Sequence, residues 1–336
     1  MNFDIPRNNK YSRIEKLIYL ITIIFLLILA FDKFDRVGIT EQLSLSDNLE
    51  KFNQLYPDVN SDNPGFSSAY FPGVAYFIHV LKFVIPDSII YEVLCIFSVF
   101  FVFFFFYLNK KIIKEIYPNN IDFSNYWLIC IIFSFWTTRM WLWYAVELKS
   151  DIFAFSLCFL ALLISKPYKK DVKKNFFKFL ISIFLIAYAY TIKQQAFFFL
   201  FGMSLYSLYS LFNKNYFFIF FSFISFLTAI LILYVFYQDQ NLWWFAVTKH
   251  LNDSYQTPYQ WLRVHYYESI LIIQFIIFIL FSSFHNLCEI NFRSKLDYLV
   301  SNLKSNIWFY LIFGFSITGI ISSAGRGANA GNTGLA

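Results

Sequence analysis

Long apolar runs separated by short polar segments extend over most of the chain. The clearest runs are residues 89–108 and 216–237, and each matches the roughly 20 residues that an α-helix needs to cross a hydrocarbon core of about 30 Å. The chain contains nine such runs, so the pattern predicts nine transmembrane helices. Their approximate bounds are 14–31, 89–108, 126–145, 148–165, 176–192, 195–212, 216–237, 268–284 and 306–323.

The pattern therefore predicts an all-α, multi-pass membrane protein that forms one membrane domain over residues 1–336. The apolar piece at 70–86 is short and is bracketed by Pro72 and Pro86. Such a segment favours an interfacial or re-entrant helix over a span. The predicted order is a first span at 14–31, a large outer loop with interfacial helices at 32–87, the remaining spans within 88–323, and a Gly-rich outer tail at 324–336.

The composition supports the membrane class. The chain is 58% hydrophobic and 14% charged, whereas soluble domains are about 45–50% apolar and about 25% charged. The N-terminus has a basic flank followed by an apolar stretch, as a signal peptide does. No small-residue cleavage site follows it, so we expect an uncleaved first span.

The Lys and Arg residues orient the predicted helices. With the N-terminus in the cytoplasm, most of the 27 basic residues fall in cytoplasmic segments and most of the 21 acidic residues in outer ones. An excess of Lys and Arg in short loops marks the cytoplasmic side. The net charge of +6 is thus a topology signal, and no nucleic-acid partner is expected. We expect the chain in the plasma membrane, the inner membrane of a bacterium, with its N-terminus inside.

The cysteine and histidine patterns predict no disulfide frame and no metal-hydrolase site. The four cysteines show no CxxC spacing and fall within spans or next to one, so we interpret them as free, apolar core residues. The four histidines are scattered and form no HExxH motif. The cysteines are Cys95, Cys130, Cys158 and Cys288, and the histidines are His79, His250, His265 and His285.

Four polar interruptions of the apolar pattern carry the candidate chemistry. Ionisable side chains at membrane depth are costly unless they are paired or line a water-filled cavity. The predicted topology puts all four on the outer side, although none was needed to choose the orientation. They are Asp32 with Asp35 after the first span, 147–151 before the fourth, 193–195 between the fifth and sixth, and 325–329 after the ninth. A second outer loop is predicted at 238–267.

This layout resembles the polytopic, lipid-phosphate-dependent glycosyltransferases of the GT-C class, which include protein mannosyltransferases and bacterial lipid A glycosyltransferases. Asp32 or Asp35 matches the Asp that those proteins carry shortly after the first span. The other matches are a Tyr-Pro-Pro-like start at 70–76, an Arg-Pro-Asp-like element at 148–152 with Lys and Ser substituted, a Thr-Lys-Gln-like element at 191–195 with one inserted residue, and a Gly-rich, Asn-containing strip at 325–330.

The resemblance implies transfer of a sugar from a polyprenyl-phosphate donor to a lipid, glycan or protein acceptor on the non-cytoplasmic face. An inverting displacement needs one base for the acceptor's proton, and a phosphate leaving group needs no general acid. We expect Asp35 or Asp32 to be that base. Charge that develops on the departing phosphate requires fixed cations. The expected residues for the donor's phosphate and sugar are Lys193, Gln194, Arg326, Asp151, Lys149, Asp58, Tyr70 and Asn329.

The remaining expectations concern the cofactor, the choice of base and the length of the chain. The sequence assigns no definite cofactor, although Asp58 and Asp62 could hold a divalent cation through oxygen ligands. The Asp-Glu pair that relatives carry after the first span is missing, so the base stays open between the two aspartates. The chain stops about a dozen residues after its last predicted span, so we expect a truncated form of a longer relative.

Other function classes fit the pattern less well. A polymerase, ligase or flippase for lipid-linked glycans would carry several arginines in its outer loops or spans, and this chain has few there. A transporter or channel would show inverted repeats with helices broken at matching places, and no such repeat is visible. A non-catalytic partner subunit is the remaining alternative.

Overall fold

The computed structural model describes residues 16–17, 20–24, 27–28, 37–56, 71–116, 150–170, 175–248, 306–311 and 314. Every regular element within these ranges is helical. The helices are α1 (Val37–Phe52), α2 (Gly73–Lys82), α3 (Asp87–Ile116), α4 (Ser150–Ser165), α5 (Phe176–Ile192), α6 (Phe198–Phe212), α7 (Tyr216–Gln238) and α8 (Gln240–Trp243). A 3₁₀ turn at Gln194–Phe197 precedes α6, and a π-helical turn at Trp244–Thr248 follows α8.

The described helices confirm the helical part of the prediction. The runs expected at 89–108, 176–192 and 216–237 appear as α3, α5 and α7. The helices α3 and α7 are long and apolar enough to cross a membrane, whereas α4, α5 and α6 are apolar but have 17 residues or fewer. The runs at 126–145 and 268–284 lie outside the described residues, and those at 14–31 and 306–323 are described only in part.

Side-chain caps explain where several helices begin. The side-chain oxygen of Asn175 accepts hydrogen bonds from the N–H groups of Phe177 and Lys178 at the start of α5. Asn215 caps α7 and Asp239 caps α8 in the same way. Each cap satisfies N–H groups that have no partner within the first turn of a helix. The polar residues between the apolar runs therefore set the helix boundaries.

The core of the described region is built on α4, α5 and α7. The helices α4 and α5 form an antiparallel pair, in which Ser182 Oγ donates a hydrogen bond of 2.8 Å to the carbonyl of Ala161. The helix α7 packs against α5 and α6, and α3 packs against α4. Cys95 and Cys158 are buried in this core, as predicted for them. Cys130 and Cys288 lie outside the described residues.

Gly202 allows the backbone of α6 to touch the backbone at Tyr310, Leu311 and Gly314. A Cβ atom at Gly202 would lie 2.8 Å from Leu311 Cα and 2.8 Å from the carbonyl oxygen of Tyr310. A Cβ atom at Gly314 would in turn lie 2.8 Å from the backbone nitrogen of Gly202. Small residues at such crossings let helix backbones approach closely. The last described segment is thereby held on α6.

The two ends of the helical bundle carry different kinds of residue. The C-terminal end of α3 and the start of α7 lie beside lysine-bearing turns, and we call this the lysine-rich end (residues 107–116, 166–170, 176–178 and 211–216). At the other end, α2, the α5–α6 junction and the end of α7 meet, and we call this the Lys193 end (residues 55–56, 71–75, 188–197 and 236–248). The 30 residues of α3 correspond to about 45 Å along the helix axis.

Much of the surface between these ends is apolar. Along α7, large side chains such as Phe220, Leu231 and Tyr234 are more than half exposed, while Phe218 and Phe221 are buried. Contiguous exposed apolar surface of this kind is unfavourable in water. The helix thus has a buried side that packs on α5 and α6 and an apolar side that faces outward.

Candidate functional site

The break between α5 and α6 places Lys193 and Gln194 between two apolar helices. The helix α5 ends at Ile192, and Lys193 adopts an extended backbone (φ −149°, ψ 135°) before the 3₁₀ turn begins. The N–H of Lys193 donates to the carbonyl of Ala189 at 3.3 Å, and its own carbonyl accepts from the N–H of Ala196 at 3.1 Å. The backbone is therefore hydrogen-bonded through the break, and the two polar side chains have a defined position.

Lys193 is a buried cation. It is 4% exposed, between Ile192 and Ala196, which are completely buried. An ammonium group is rarely buried to this extent, because removing it from water is costly unless other groups compensate. Burial also restricts its rotamers. Lys193 is thus a buried basic side chain at the Lys193 end, and its role in binding the donor's phosphate stays a prediction.

Gln194 ties this break to the segment that follows α7. Its side-chain Nε2 donates a hydrogen bond of 2.7 Å to the carbonyl of Ala246, which lies in the π-helical turn. Ala246 is buried, and the bond is partly buried. The sequence assigned Gln194 to the donor substrate. In the structure at least one of its amide hydrogens serves the backbone of the predicted second outer loop.

The start of α2 rests directly on the end of α5. A Cβ atom at Gly73 would lie 2.7 Å from Thr191 Oγ1 and 2.8 Å from the Thr191 carbonyl oxygen, so only glycine permits this contact. The hydroxyl of Tyr188 donates to the carbonyl of Gly73 at 3.1 Å, and Thr191 Oγ1 donates to the carbonyl of Tyr188 at 2.7 Å. The structure thereby brings together the elements at 70–76 and 191–195, which are more than 110 residues apart.

Aromatic side chains also pack these segments together. Phe71 is 1% exposed and meets the ring of Phe236 at 4.8 Å and that of Phe197 at 6.2 Å, both edge to face. Tyr56 stacks on Phe245 at 6.2 Å. The segments at 45–56 and 71–75 and the end of α7 therefore share one buried cluster, and Phe197 of the α5–α6 break packs against it. Its members are Leu45, Leu55, Tyr56, Phe71, Ala75, Phe236, Leu242, Phe245 and Ala246.

An ion cluster around Lys82 fastens α1 to α2 near the start of α3. The ammonium of Lys82 contacts the carboxylate of Asp47 and lies 3.0 Å from that of Glu50. Asp87 lies 3.9 Å from the same ammonium, and His79 lies 3.6 Å from Glu50. Burial disfavours the charged form of Lys82, but the hydrogen bonds to Asp47 and Glu50 outweigh it and raise the pKa of Lys82 above its ordinary value. Lys82 therefore links α1, α2 and the start of α3 through its carboxylate partners.

Most of the predicted site residues lie outside the described part of the chain. This applies to the candidate bases Asp32 and Asp35, and also to Asp58, Asp62, Tyr70, Lys149, Arg326 and Asn329. Asp151 is described only by its backbone, in the first turn of α4, and α4 packs against the 3₁₀ turn that follows Lys193. The structure thus brings the backbone of 151, Lys193 and Gln194 to the same end of the bundle.

The residues that hold these elements together were not predicted from the sequence. Ala246, Tyr188 and Lys82 carry no motif, and their roles depend on contacts between distant segments. One signal was visible for Lys82, because it is the cation at the end of the apolar piece at 70–86 and follows His79 by three residues. For Ala246 there was none, since its contribution is a backbone carbonyl.

No cluster of metal ligands among the described residues and no related protein identifies the site further. Among the residues that the structure describes, no three His, Cys, Asp or Glu side chains are grouped closely enough to hold a metal ion, and Asp58 and Asp62 are not among them. Comparison with protein families, characterised proteins and solved structures gave no match. The function is therefore inferred from the residues of this chain alone.

Proposed function

We propose that the protein is a multi-pass membrane glycosyltransferase that moves a sugar from a polyprenyl-phosphate donor to an envelope lipid, glycan or protein acceptor on the non-cytoplasmic face. One observation carries the proposal. Phe71 to Gly73, Lys193 with Gln194, and Ala246 belong to three segments that the charge pattern assigns to the outer side, and they meet at one end of the bundle. The site is proposed at this Lys193 end.

The membrane setting is supported by surface and charge. The helices α3 and α7 are long and apolar enough to span a bilayer, and α7 exposes large apolar side chains along its length. Exposed lysines gather at the lysine-rich end, as expected for a cytoplasmic surface. The proposed topology of nine spans puts the N-terminus in the cytoplasm and the Lys193 end outside.

In the proposed reaction, an acceptor hydroxyl attacks the anomeric carbon of the donor sugar. Asp35 or Asp32 takes the hydroxyl proton, and the bond between the anomeric carbon and the phosphate oxygen breaks with its electron pair remaining on the phosphate. The anomeric configuration is inverted in this single displacement. Lys193 is suited to stabilise the departing phosphate, because a buried and fixed cation needs little reorganisation when the charge develops. The polyprenyl chain would lie along the apolar side of the spans.

The test is a transfer assay on the purified full chain in liposomes with radiolabelled polyprenyl-phosphate sugars. The variants are Asp32→Asn, Asp35→Asn and Lys193→Ala. The matched control is Lys51→Ala, because Lys51 is an exposed lysine on α1. We expect loss of one aspartate or of Lys193 to reduce turnover by roughly 100-fold or more, the scale of a base or an electrostatic contact to the leaving group. Unchanged turnover in all three variants would disprove the mechanism.

A further inference from the structure

Glu115 organises the turn between α4 and α5 at the lysine-rich end. Its carboxylate lies 2.6 Å from Lys166 Nζ and 3.4 Å from Lys169 Nζ, and the hydroxyl of Tyr168 donates to it. The Glu115 side chain is 13% exposed. Burial alone would raise the pKa of Glu115, but the bonds from Lys166 and Tyr168 and the charge of Lys169 lower it below its ordinary value. One ionised carboxylate thus fixes a turn that carries several lysines.

The same turn is fastened to the junction of α6 and α7. Asn215 Nδ2 donates to the carbonyls of Pro167 and Tyr168, each at 3.2 Å, and Lys170 Nζ donates to the carbonyl of Asn213. Asn215 also caps α7, so one side chain sets both the helix start and the position of the turn. The end of α3 and the start of α7 are therefore held on one rigid surface.

This surface is strongly and unevenly charged. Among the described residues at the lysine-rich end, Glu115 is the one carboxylate. The same end carries eight lysines, of which five are exposed. The exposed lysines are Lys111, Lys114, Lys170, Lys178 and Lys214, and the partly buried ones are Lys110, Lys166 and Lys169. An excess of fixed positive charge of this kind attracts anions and is a favourable contact for a negatively charged surface.

Exposed aromatic and aliphatic side chains are interleaved with these lysines. Phe177 is 69% exposed beside Lys178, and Phe212 is 87% exposed two residues before Lys214. Tyr107, Phe176 and Tyr216 are exposed as well. A soluble polyanion, whether nucleic acid or polyphosphate, would leave these rings in water. A bilayer interface accepts both groups, since rings enter the boundary of the acyl chains while lysines reach the headgroups.

We propose that the lysine-rich end is a binding surface for anionic phospholipids of the leaflet next to it. The lysines contact the headgroup phosphates, and the exposed rings pack on the first carbons of the acyl chains. This role goes beyond the proposed sugar transfer, because it belongs to the other end of the bundle and needs no donor or acceptor sugar. It would hold the ends of α3 and α7 at the depth of the headgroups.

The experiment measures lipid binding to the full chain purified in a neutral detergent. Native mass spectrometry counts bound dioctanoyl phosphatidylglycerol against phosphatidylcholine of the same chain length, and a third arm adds inorganic phosphate alone. The test variant is the triple change Lys114→Gln, Lys178→Gln and Lys214→Gln, three exposed positions. The matched control changes the same three lysines to Arg, which keeps the charge.

We expect wild type to bind phosphatidylglycerol at least about tenfold more tightly than phosphatidylcholine, with the preference retained in the Arg variant and lost in the Gln variant. A fourth protein, Phe212→Ser, should bind phosphatidylglycerol more weakly with all lysines present. If wild type bound the two lipids equally, that result alone would overturn the proposal. So would an unchanged preference in the Gln variant, or competition by inorganic phosphate at the concentrations used for the lipid. Sugar transfer should persist in the Arg variant, so failure here is distinguishable from failure of the proposed function.

Discussion

The side-chain amide of Gln194 donates a hydrogen bond of 2.7 Å to the backbone carbonyl of Ala246, across 52 positions of the chain. Through this bond the break between α5 and α6 holds the turn that follows α7. The bond is partly buried, so losing its donor removes a hydrogen bond from the Ala246 carbonyl at a site with limited access to water. This bond adds to the aromatic contacts that hold the turn at Trp244–Thr248 on the bundle.

Replacing Gln194 should loosen the turn at Trp244–Thr248 before it affects the rest of the bundle. For Gln194→Ala we expect a loss of about 1 kcal/mol in local stability, the usual value of a buried neutral hydrogen bond. Hydrogen exchange at residues 244–248 is the measurement, with exposed Gln238→Ala as the control. Equal exchange in wild type and Gln194→Ala would show that the bond does not hold this turn.

Adding one methyl group at Gly73 should separate α2 from α5. The new Cβ would lie 2.7 Å from Thr191 Oγ1 and 2.8 Å from the Thr191 backbone, so Gly73→Ala is expected to cost about 1–3 kcal/mol. The second change Thr191→Ala removes the side-chain clash and leaves the backbone clash. The double variant should therefore recover only part of the lost thermal stability. Full recovery would contradict the described backbone contact.

Stability should fall at acid pH because of Glu115. The pKa of Glu115 is lowered in the folded protein, so its stabilising contribution is complete above the ordinary value of 4.5 and is lost as the pH drops through the lower folded value. We expect the thermal midpoint to decline below about pH 4.5 in wild type and to decline less in Glu115→Gln. Exposed Glu92→Gln is the control and should decline as wild type does. Identical curves for all three proteins would show that Glu115 makes no such contribution.

Removing the charge of Lys82 should detach α1 from α2. Its side chain is 9% exposed and faces Asp47 and Glu50, so Lys82→Met leaves two carboxylates close together without their cation. A loss of roughly 2–4 kcal/mol is expected for breaking such a partly buried cluster. Lys82→Arg should restore most of it. Proteolysis within 37–56 reports the detachment, and equal resistance of Lys82→Met and wild type would argue against it.

The long apolar runs of the sequence predicted most of the described helices of this protein. The bounds of α5 agree with the predicted 176–192, and α7 extends one residue beyond the predicted 216–237. This succeeds because runs of apolar residues with asparagine or aspartate at their starts define both a helix and its cap from local sequence. The resemblance to glycosyltransferases also singled out 70–76 and 191–195, and these two elements lie in contact.

Only the tertiary structure decided which polar groups meet. Folding brings the carbonyl of Ala246 to the side-chain amide of Gln194. Lys82 pairs with carboxylates of α1, and Glu115 pairs with lysines in the turn that follows α4, so the partners of both come from distant parts of the chain. Local sequence specifies a helix because its hydrogen bonds span four residues. Pairing of side chains across the bundle depends instead on how helices pack, which no local pattern encodes.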